Sequence, residues 1–179
     1  MTTTESTAPV QTGYDSRAVA NWLLDRADAD RTSIDHMQLH KLVYLAHGWH
    51  LARTGRPLIR DRIEAWPYGP VIPVLYHEFK QFGDDSIDGR AFDFDFDLAD
   101  NRVLSADFPA DTRWILDLVW RTYGVFSGPE LSAMAHEPGT PWAEVTAGKR
   151  VNELRGVLIP NELMQAHFEE ERRLILSRG

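Results

Sequence analysis

Apolar positions recur at helical spacing along most of this chain, and the breaks between the stripes carry cap and turn residues. Val19, Trp22, Leu23 and Ala27 form one stripe behind Asp15 or Ser16, either of which can cap a first helix. Leu39, Leu42, Val43, Ala46 and Trp49 form a second, capped from Thr32 or Ser33 and terminated by Gly55. Tyr44, Leu45, Leu51 and Ala52 spread apolar surface around that helix, which predicts a central position. A third helix is predicted from about Pro70 to Phe82, with Leu75, Phe79 and Phe82 a turn apart and Gly83 as its stop. Pro109 opens a fourth, with Trp114, Ile115, Leu118 and Val119 inward and Gly124 at its end. Ser127 and Glu130 have capping-box spacing for a short fifth helix through Ala135. Pro138 and Gly139 break the chain, Thr140 and Pro141 restart a turn around Trp142, and Pro160 opens a last helix. There, Glu169 and Arg173 are spaced for a surface ion pair.

The pattern changes in two places. From Phe92 to Leu98, Phe92, Phe94, Phe96 and Leu98 alternate with Asp93, Asp95 and Asp97, the two-residue period of a half-buried strand or an extended acidic arm. From Ile63 to Tyr76, Pro67 and Pro70 fix their own φ and push Trp66 and Gly69 toward extended backbone. In a strand, Trp66 and Tyr68 lie on one face, held on a stiff arm. Leu58-Ile59 and Ile63-Ala65 can pair beside it as a small hairpin. The two rings either plug the core between helices or form a recognition surface with Gly69, Pro70 and Val71.

These residues also carry a resemblance. Ala65 to Val71, preceded by Leu39-His40-Lys41-Leu42-Val43-Tyr44-Leu45-Ala46-His47-Gly48-Trp49, and followed by Leu131 to Glu137 and Pro141-Trp142, resembles the Panacea domain of bacterial and phage antitoxins. The likeness spans about Ile34 to Phe168. It implies a non-catalytic protein that neutralises a cognate protein toxin by direct binding. One member of the family delivers its toxin to a protease, so sequestration and proteolytic delivery are both implied possibilities. On this resemblance Trp66, Tyr68, Gly69, Pro70 and Val71 are candidate partner-binding residues. Leu39, Lys41, Leu42, Tyr44, Gly48, Trp49, His136, Pro141 and Trp142 are family-motif positions expected to serve the fold.

Composition narrows the alternatives. The 179 residues are 43% hydrophobic and 26% charged, which fits one globular domain rather than a disordered chain. Residues 1–13, rich in Thr and Ser, are expected to form a disordered tail ahead of a single Panacea-like domain over 14–179. With no cysteine, disulfides, thiol nucleophiles and Cys-ligated metals are excluded. No apolar run reaches the roughly 20 residues of a membrane span, no secretory signal is visible, and a cytoplasmic location is expected. A formal charge of −8 disfavours direct nucleic-acid binding and suits a basic protein partner.

Catalytic signatures do not assemble. His36, His40, His47 and His50 share one sector of the second helix, and the i, i+4 pair His36 and His40 has metal-site spacing. The outer two are about 21 Å apart along the axis, so no single ion reaches all four. A third ligand, Asp35 or Glu64, is needed for a catalytic metal. His77-Glu78 and His136-Glu137 lack the second histidine of a zincin, since Gln81 and Thr140 stand there. Asp93, Asp95 and Asp97 begin an EF-hand spacing that Leu98 and Leu104 fail to complete. His136 beside Glu137 can be a general base, or a histidine hydrogen-bonded at a helix end. Neither a Walker loop nor a nucleophile elbow is present. The residues therefore predict a mainly α, single compact helical domain with a small hairpin or short extended strands, and the resemblance implies an antitoxin without cofactor or metal. The alternatives are a small metal-dependent enzyme on the histidine face and a phage or host interaction protein without a toxin partner.

Overall fold

A computed structural model describes residues 13–178; the tail expected over 1–13 lies outside the described residues apart from Gly13. Seven α-helices and two two-stranded antiparallel sheets make up the described chain: α1 (Ser16–Ala29), α2 (His36–Thr54), β1 (Glu64–Trp66), β2 (Gly69–Val71), α3 (Pro73–Phe79), β3 (Phe92–Asp95), β4 (Asp100–Val103), α4 (Ala110–Tyr123), α5 (Gly128–Ala135), α6 (Pro141–Thr146) and α7 (Asn161–Ser177). The fold is thus mostly helical with minor β structure. No helix among the described residues is long and apolar enough to cross a membrane.

Helix α2 is the hub, packing against α1, α4, α5, α7 and β2. Leu39, Leu42, Val43, Ala46 and Leu51 are buried on it, and so are Gln38, His40, Lys41, His47 and His50. Gly48 lets α7 approach: a Cβ there would sit 2.1 Å from a ring carbon of Phe168, far inside contact distance. α1 begins on Asp15, whose carboxylate accepts from the Arg17 amide. α2 begins later than its Ser and Thr suggest. Its cap is Asp35, because Ile34 is buried and its carbonyl accepts from the Ile87 amide, which holds the preceding residues extended.

Several other expectations shift for identifiable reasons. Pro70 lies in β2, so α3 opens at Pro73, ends at Phe79 and continues as a 3-10 turn over Lys80–Phe82. Leu58-Ile59 does not pair with Ile63-Ala65. Ile59 bridges to Tyr14, while the second edge of β1 is filled by residues 157–159, with Ala65 donating to Val157 and Ile159 to Ile63. On α4, Ile115 and Val119 are buried, but Trp114 and Leu118 are 49% and 40% exposed. Their edge of the stripe borders an open groove shared with Ile175 and Leu176 of α7, and the Arg53 guanidinium of α2 covers Trp114 at 4.2 Å. On α7, Arg173 pairs with Glu170, because Glu169 accepts from Gln165 one turn earlier.

Candidate functional site

The β1–β2 hairpin is a two-residue turn. Trp66 pairs with Gly69, so Pro67 and Tyr68 are the loop, and Trp66 and Tyr68 do not share a strand face. Gly69 makes the turn possible with φ of 107°, and a Cβ there would come within 2.9 Å of the Lys41 stem. The turn leaves Tyr68 71% exposed and Pro67 exposed, while Gly69, Pro70 and Val71 are buried. Any partner surface on this hairpin is therefore made by Pro67, Tyr68 and the half-buried Trp66, with the three residues behind them as support.

Side chains from three helices capture the hairpin carbonyls almost one by one. Trp142 Nε1 donates to the Trp66 carbonyl at 2.8 Å, and His136 Nε2 meets the Pro67 carbonyl at 3.0 Å. Ser132 Oγ donates to the Tyr68 carbonyl at 2.7 Å, and Lys41 Nζ to the Pro70 carbonyl at 3.1 Å. The His136 ring lies 3.9 Å from that of Trp142, and its Nδ1 meets the Ser132 carbonyl at 2.6 Å. Pro141 is buried at the start of α6, which Thr140 caps, and this sets Trp142 in place. Trp66 donates to Glu64, packs on Tyr76 at 4.9 Å and lies under the Arg155 guanidinium at 5.6 Å. Burial raises and the hydrogen bonds from Trp66 and Arg62, with the nearby Arg62 charge, lower the Glu64 carboxyl, which ends below its usual range.

The histidine face of α2 is a set of closed hydrogen bonds. The Ile72 amide donates to His40 Nδ1, which leaves His40 Nε2–H to donate to His36 Nε2 at 3.0 Å. His47 accepts from the Ile59 amide and donates to the Asn161 side-chain oxygen at 2.8 Å. His50 meets the Arg56 carbonyl and the Thr112 hydroxyl. Burial pushes all four down: His40 well below its ordinary value, His47 to about 4. Each is held as neutral imidazole, and both ring nitrogens of His40, His47 and His50 are engaged. Among the described residues no group of three His, Asp or Glu could hold a metal ion.

The second hairpin is built differently. Asp95 pairs with Asp100 and its carboxylate accepts from the Asp97 and Leu98 amides, folding the acidic run back on itself. Of the two expected forms, a half-buried strand or an extended acidic arm, the structure has the projecting arm: Phe92 and Phe94 are each 48% exposed, Phe96 87% and Leu98 72%. The two-residue period is kept over Phe92–Asp95, Phe96 and Leu98 fall in the turn, and among the described residues no second layer covers the apolar face. Sequence reasoning missed what fixes the arm's root. Buried Asn21 on α1 donates to the Ala91 and Leu104 carbonyls and accepts from the Ala91 amide, all within 2.9 Å. It also missed Ser132 as a carbonyl donor, for which a polar residue in an otherwise apolar stripe was the available signal.

Most of the central helix, and the hairpin gripped by side chains from its neighbours, fall within the part of the chain that comparison with known proteins matches. The family described as "Antitoxin SocA-like, Panacea domain" matches residues 39–143, which contain the hairpin and every side chain that holds its carbonyls. The chain is also 36% identical over 154 residues to Antitoxin SocA of Caulobacter vibrioides (strain NA1000 / CB15N), covering 86% of this chain and 82% of that protein. This chain belongs to the SocA-like, Panacea-domain antitoxin family. No solved structure matches it.

Proposed function

We propose that this chain neutralises a cognate protein toxin by direct binding, without catalysis of its own. Family membership supports the toxin, and the exposed apolar surface of the β3–β4 arm is the observation that carries the binding mode. Four large apolar side chains presented among Asp93, Asp95, Asp97 and Asp100 suit a partner that is basic around an apolar centre. Tyr68, with Pro67 and the edge of Trp66, supplies a second contact point on the rigid hairpin. The arm, held only at its root, is the part that can differ in sequence without disturbing the core, so toxin choice is assigned to it. The metal-enzyme alternative loses its footing, since the histidines it needs are committed to hydrogen bonds.

Co-expression with the products of adjacent small reading frames tests the proposal. A toxic product whose growth defect is relieved, and which co-purifies with this chain, supports it. Relief with a shortened toxin half-life and no lasting complex assigns delivery to a cellular protease instead of sequestration. Absence of any toxic product that this chain relieves overturns the antitoxin reading.

A further inference from the structure

A cavity of about 210 Å³ opens between α2, α5 and α7, directly behind the β1–β2 hairpin. Its walls are apolar: Leu45, Trp49, Leu131, Met134 and Phe168. Lys41 and Tyr44, one turn apart on α2, also line it. Both are nearly inaccessible, at 2% and 4% exposure.

Lys41 and Tyr44 are under-partnered. The Lys41 ammonium has three protons to donate and makes one hydrogen bond, to the Pro70 carbonyl, with no ion pair to any described residue. A charge in that position ordinarily requires a counterion. The Tyr44 hydroxyl makes no hydrogen bond to any described residue. Among the described residues, the fully enclosed side-chain polar atoms without a hydrogen-bond partner are Ser16 Oγ and Arg26 Nε. The Tyr44 hydroxyl is therefore not fully enclosed, and the open space that Tyr44 lines is this cavity.

We propose that the cavity is a binding site for a carboxylate carried on a short apolar stem. The carboxylate accepts from Lys41 and Tyr44, which supply a charge-assisted and a phenolic hydrogen bond, and the stem fills the space between Trp49, Met134 and Phe168. Glu137, His167 and Glu171 line the same cavity toward solvent. Water screens the two carboxylates more than the buried ammonium, so they do not cancel the attraction at the base, and they select stems whose outer end is neutral or cationic. Because Lys41 also holds the hairpin through Pro70, an occupant bears directly on the segment that ends in the exposed Tyr68. The proposal does not rest on the antitoxin reading and is tested separately from it.

The test uses 4-methylpentanoate and its amide, 4-methylpentanamide, titrated into the full chain while the Trp49 indole N–H is followed by NMR. The acid is expected to give a saturable shift at millimolar concentration or below, and the amide to bind roughly tenfold more weakly. Tyr44→Phe is expected to weaken the acid by about tenfold while leaving the melting temperature unchanged or higher, since it removes an unpartnered hydroxyl from the interior. Acetyl-glycyl-leucine separates two sources of the same chemistry: tighter binding than the free acid assigns a polypeptide end, weaker binding a small molecule. No saturable shift with either acid, equal binding of acid and amide, or unchanged binding by Tyr44→Phe overturns the proposal.

Discussion

The two hairpins of this protein share a secondary structure and differ in almost everything that surrounds it. β1–β2 has three paired residues a side, and α2, α5 and α6 supply side chains that bind its carbonyls at Trp66, Pro67, Tyr68 and Pro70. β3–β4 has four paired residues a side, tied at the base by Asn21 and exposed beyond it. The first is held in place because four of its carbonyls have dedicated side-chain partners. The second keeps its shape by local turn chemistry and leaves its apolar side chains for something else to cover. Similar strand content thus says little about role; what decides it is whether neighbouring helices reach the backbone.

Acid is the broadest way to break the comparison. In the unfolded chain the α2 histidines protonate near their ordinary value of about 6.5, whereas folded His47 resists until about 4 and burial holds His40 well below its ordinary value. Between those pH values the unfolded state binds more protons, so stability falls as pH drops. His47 alone accounts for roughly 3 kcal/mol by pH 4. Urea melts at pH 7 and pH 4.5 check this; equal midpoints contradict it.

Trp142→Ala attacks the first hairpin alone. It removes the donor to Trp66 and the ring against His136, and a loss of about 3 kcal/mol is expected in denaturant titration. Gly69→Ala is smaller. The positive φ and the close Lys41 stem cost about 1 to 2 kcal/mol, read in the same titration. Phe94→Ser with Phe96→Ser should change stability least, within about 0.5 kcal/mol, because neither ring is in the core. The same double change is expected to abolish protection against the toxin, measured as growth. A large drop in melting temperature would show the arm to be part of the fold.

The helices were largely legible because their signals are local. Asp15, Gly55, the Ser127 and Glu130 box, Thr140 and Pro160 each act on the residues beside them. The hairpins were not, for two different reasons. Pro67 and Pro70 revealed a stiff extended segment, but its partners Ser132, His136 and Trp142 lie more than sixty residues away, and no local pattern encodes which carbonyl each one meets. In β3–β4 the alternation of Phe and Asp was plain, yet alternation reports a face that can be covered and not whether a layer exists to cover it. The cavity beneath Lys41 and Tyr44 was invisible for a third reason, since a void belongs to no residue.

The central claim is direct binding, and co-purification with the rescued toxin tests it most closely, using wild-type chain beside the Phe94→Ser, Phe96→Ser variant at matched melting temperature. The account predicts a stable complex with the wild type that the variant fails to form. A complex that survives the loss of both rings contradicts the assignment of the arm, and rescue of growth with neither a complex nor toxin loss contradicts direct binding itself.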